Sequence, residues 1–156
     1  MKDHWRLLQP LRVAAGWRID ISGLYAVDPS PETMEWFYGS VLISGNDGHS
    51  RLTFDARWEP EGDPEGCYTV DFLRLPRAGK GKGKGLAREG NTARGRDEVE
   101  FIGTWTTRSR PELVAVLESF MFTRTPPENT ASPGPEPTVA EVAAVPESAA
   151  PREEAG

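Results

Sequence analysis

The chain has 156 residues, enough for one domain, and a formal net charge of −6. All but one of its 18 basic residues precede Pro126, while six of its 24 acidic residues follow it, so the net charge says little about the folded surface. A single cysteine, Cys67, excludes an internal disulfide and a cysteine-based metal cluster within one chain. No apolar run approaches a membrane span or a secretory leader, so a cytoplasmic protein with no membrane partner is expected.

From the start of the chain, Trp5, Leu7 and Leu8 are placed to cover an edge of the core, and Leu11 and Val13 suggest a short strand. Trp17 to Ser22 then alternates, with Trp17, Ile19 and Ile21 on one face, which predicts a half-buried strand. Asp28-Pro29-Ser30-Pro31-Glu32 interrupts the pattern and offers the start of a short helical turn, with Pro31 at its tolerated first position. The later part of Glu35 to Ser44 reads as a strand.

The central segment, 37 to 75, reads as three strands. Asp47-Gly48 is a favoured two-residue hairpin turn, since both positions need a positive φ. That turn sets Ile43 opposite Leu52, Val41 opposite Phe54, Gly39 opposite Ala56 and Phe37 opposite Trp58. The next hairpin, closed by the Pro-, Gly- and acid-rich segment 59 to 66, has two registers that keep apolar residues facing each other. Trp58 opposite Gly66 sets Asp55 against Thr69; Trp58 opposite Tyr68 sets Asp55 against Asp71. Like charges directly opposite cost up to about 1 kcal/mol, so the first register is expected. The second would need a cation or a shared proton.

Residues 77 to 96 are dominated by Gly, Lys and Arg and predict a flexible loop. Val99, Phe101, Gly103 and Trp105 alternate with polar positions in a further strand. Ser109-Arg110-Pro111-Glu112 is a capping box, and Leu113, Val116, Leu117 and Phe120 form the apolar stripe of a helix ending near Thr123. Residues 126 to 156 contain no aromatic, Leu or Ile and predict a disordered acidic tail. The fold class expected is α+β: an antiparallel, meandering sheet of five or six strands with one C-terminal helix packed on it, in a single domain spanning 1 to 125.

Motifs for chemistry are sparse. The Gly/Lys loop matches neither a Walker A loop nor G-x-G-x-x-G, and no cofactor is expected. Its Lys80, Lys82, Lys84, Arg88, Arg94 and Arg96 suit phosphate contacts by charge alone, which makes nucleic acid an alternative partner. Glu59, Glu61, Asp63 and Glu65 lack the ligand order of a calcium loop, and His4 and His49 are too far apart in role to predict a metal or catalytic pair. Trp36, Tyr38, Leu42, Leu73 and Ile102 fall on the face opposite the predicted core and are the candidate interaction surface. The function expected is therefore a small non-catalytic protein-binding module, such as an adaptor, inhibitor or immunity-type protein, with another protein as partner. An enzyme with an unrecognised carboxylate site is the third reading; it requires a deep pocket holding convergent acids such as Asp20, Asp55 and Asp71.

Overall fold

A computed structural model describes residues 4–77 and 98–132. Five strands form one antiparallel sheet in sequence order: β1 (Trp17–Ser22), β2 (Ile43–Asp47), β3 (Leu52–Glu59), β4 (Cys67–Arg74) and β5 (Glu100–Thr107). One helix, α1 (Arg110–Thr123), follows. The expected α+β meander with a C-terminal helix is the observed architecture. The predicted Gly/Lys loop lies almost wholly outside the described residues, as does most of the predicted tail. Ala131 makes a single antiparallel bridge to Thr104 on the outer edge of β5.

One face of the sheet is dry. Phe54, Tyr68, Val70 and Phe72 point into it and are fully buried beneath Leu113, Leu117, Phe120 and Met121 of α1. The Phe72 and Phe120 rings lie 4.5 Å apart, and Trp17 meets Phe120 edge-on at 5.5 Å. At one end of the core Phe37, Trp58 and Tyr68 form an aromatic trio, with Trp58 edge-on to Tyr68 at 5.0 Å. The helix starts where the capping box places it: the Ser109 side chain accepts the Glu112 N–H at 3.3 Å. It ends at Arg124 in the left-handed conformation, φ 59°.

Several local expectations are corrected. Leu11 and Val13 form no strand; the one bridge in this region pairs Leu8 with Tyr25. Phe37 sits in a 3-10 turn, Met34–Phe37, and β2 begins only at Ile43. The β2–β3 connection is the four residues 48 to 51, with Arg51 at φ 63°, rather than Asp47-Gly48. Ile43 therefore faces Ala56 and Gly45 faces Phe54, a slip of four residues that leaves each side chain on its expected face. Two side chains explain the slip. Asp47 is 0% exposed and cannot sit at an exposed turn tip. It accepts the His49 N–H at 3.0 Å and the Ser50 hydroxyl at 2.8 Å, and it pairs with Arg124 at 3.0 Å. Gly45 leaves room for Phe54, since a Cβ there would lie 2.9 Å from the ring and 3.1 Å from the Arg18 carbonyl.

The β3–β4 register is also the one the charges argued against: Trp58 faces Tyr68, Phe54 faces Phe72, and Asp55 faces Asp71. Edge-on packing of Trp58 on Tyr68 contributes about 0.5–1.5 kcal/mol beyond burial and offsets the like-charge cost. The Asp63 carbonyl, which accepts from both Trp58 Nε1 and the Gly66 N–H, closes the loop in this register.

Candidate functional site

The sheet's second face carries the side chains between the core positions. It presents Ser44 and Asn46 from β2, Thr53, Asp55 and Arg57 from β3, Thr69, Asp71 and Leu73 from β4, and Phe101 and Thr104 from β5. Apart from Thr69, these residues are at least partly exposed. The β3–β4 pairing brings Asp55 to Asp71, and the separate β4–β5 pairing sets Thr104 opposite Asp71 on its other side.

Asp71 is fully engaged. Arg57 Nη1 donates to its Oδ2 at 2.5 Å, and the Thr104 hydroxyl donates to its Oδ1 at 2.6 Å. Arg57 also holds Glu59 through Nε at 2.6 Å, and this bond keeps the Glu59 carboxyl below its usual range. Asp55 is different: its Oδ1 is buried and has no hydrogen-bond partner. Burial pushes its carboxyl upward; the nearby charge of Arg57 opposes this, and that of Asp71 adds to it. The cation a carboxylate pair requires is thus supplied internally by Arg57, and it is given to Asp71. Further along the face, Asp20 accepts from Arg18 Nε at 2.7 Å and from the Asn46 amide. Chemically the row can hold a proton on one acid beside an ionised partner. Cavities among the described residues lie elsewhere, one between Asp28, Trp58 and the start of α1, another between Gly39–Ser40 and Arg57–Glu61. Neither is lined by Asp20, Asp55 or Asp71.

The predicted interaction surface divides. Leu42 is only 3% exposed, and its backbone is bonded on both sides, to the Ala56 carbonyl and the Gly23 N–H. It precedes the strand, so alternation did not apply to it. Trp36 is half-buried against the core and edge-on to Tyr25 at 4.7 Å. Ile102 is the extra residue of a β-bulge, where Phe72 faces Gly103 and Leu73 faces Phe101, and it packs against the core. Tyr38 is 59% exposed and lies over Gly62, at the β3–β4 loop end of the sheet. Leu73 is partly exposed at the opposite end, directly across from Phe101, which is 37% exposed. Beyond this pair, Leu75 and Val99 are also exposed. The sequence placed Leu75 beside Leu73 on this side, but Phe101 and Val99 were missed because the patch exists only once the bulged register is known.

Lys80, Lys82, Lys84, Arg88, Arg94 and Arg96 lie outside the described residues. The acidic turn does not converge: Glu61 accepts the Gly39 N–H at 3.1 Å, and Glu65 pairs with Arg108 at 2.9 Å. Among the described residues no group of three or more His, Cys, Asp or Glu is placed to hold a metal ion. No helix among them is long and apolar enough to cross a membrane. Comparison with protein-family models, curated proteins and solved structures finds no match to this chain.

Proposed function

We propose that this chain is a small non-catalytic protein-binding module that engages another protein through the second face of its sheet. The observation that carries the reading is the exposed Leu73–Phe101 cross-strand pair on the face that α1 leaves uncovered, with the exposed Leu75 and Val99 just beyond it in the chain. Apolar side chains bordered by the polar row of Asp55, Arg57 and Asp71 fit the anatomy of a protein interface, an apolar centre with a polar rim. The lone, half-buried Cys67 suits a reducing cytoplasm.

The test is affinity capture with the tagged full chain and with a Leu73→Ser/Phe101→Ser variant whose circular dichroism and melting match the wild type. The reading predicts a specific protein retained by the wild-type chain and lost by the variant. An identical set of proteins on both, or no specific protein on the wild type, contradicts it.

A further inference from the structure

Asp55 lies at the centre of the sheet, on the middle strand, with neighbours on both sides. From β4 it faces Asp71, with Thr69 and Leu73 diagonal to it. From β2 it faces Ser44, with Asn46 diagonal. On its own strand Thr53 and Arg57 flank it. The cations among the described residues of this face are committed elsewhere: Arg57 to Asp71 and Glu59, and Arg18 to Asp20. Asp71 has both oxygens occupied by donors, Arg57 on one and Thr104 on the other. Asp55 has a buried oxygen without a donor, directly opposite that charge.

We propose that the Asp55–Asp71 pair is a pH-sensitive lock on the central hairpin: Asp55 holds a proton in the folded chain, and its ionisation sets a second negative charge against Asp71, with one arginine, Arg57, shared among three carboxylates, and loosens β3 from β4. The asymmetry of the pair assigns the proton. Ionising Asp55 leaves a buried oxygen without a hydrogen-bond donor, and the nearby charge of Arg57, which favours the ionised form, is already bonded to Asp71 and Glu59. The upward push on the Asp55 carboxyl from burial agrees with the geometry. A raised carboxyl stabilises the folded chain below the ordinary carboxylate range, and that stabilisation is lost as pH rises through the folded value.

The experiment is a carbon-detected NMR titration of the side-chain carboxyls of the full chain, with melting of the wild type and Asp55→Asn followed over the same range. The Asp55 carboxyl is expected to titrate above the ordinary value of about 3.9. Asp71→Asn is expected to lower the Asp55 midpoint. Asp55→Asn is expected to melt level with the wild type at the acid end and several degrees above it at neutral pH. An Asp55 midpoint at or below the ordinary value, or a melting difference that does not change with pH, overturns the proposal. The wild-type titration decides the matter even if a variant fails to fold.

Discussion

Asp47 joins three parts of the chain through one buried carboxylate. It holds the β2–β3 turn through the His49 N–H and the Ser50 hydroxyl, and it reaches the end of α1 through Arg124, 77 residues away. Burial alone would raise its carboxyl, but bonds from Ser50, His49 and Arg124 hold it below the usual range. Glu118 is lowered in the same direction by the side chain and backbone N–H of Arg12. Both contribute stability that is present above the ordinary carboxylate values and lost as pH falls through the folded ones, opposite in sign to Asp55. Asp47→Ala is expected to cost about 1–3 kcal/mol by thermal or urea unfolding at neutral pH, and to flatten the acid limb of the stability profile. Gly45→Ala is expected to cost about 1–3 kcal/mol, because the new methyl meets both the packed Phe54 ring and the Arg18 carbonyl. Asp55 and Asp71 could be singled out from the sequence, but Arg57 and Thr104 could not: Arg57 joins the pair through the β3–β4 register and Thr104 through the β4–β5 register.

At the level of elements, what was legible depended on whether the deciding signal was local. The start of α1 followed from four adjacent residues, Ser109 to Glu112, and Ser109→Ala is expected to cost about 1 kcal/mol in unfolding measurements. Strand faces were equally legible, because alternation records only parity. Registers were not, since slips of two or four residues preserve parity. The contacts that choose among them, Asp47 with Arg124 and Arg57 with Asp71, link residues far apart in sequence. Val41 and Leu42 were misplaced for a related reason: apolar residues before β2 pack from irregular backbone, where alternation carries no information. The β5 bulge likewise turned Ile102 toward the core and left Phe101 on the open face.

Over the whole molecule, the sheet divides the labour between its faces. One is sealed by α1, the N-terminal segment and the 3-10 turn at Met34–Phe37, and supplies the stability. The other combines a polar centre with an exposed apolar end, and this division is the basis for reading the chain as a binding module. A change on the open face should therefore affect binding and spare the fold. The measurement that tests this most directly is the dissociation constant of the captured partner for the wild type and for Phe101→Lys, taken with the melting temperature of each. The account predicts at least about a tenfold weakening, equivalent to about 1.4 kcal/mol, with melting unchanged. An unchanged dissociation constant would contradict it.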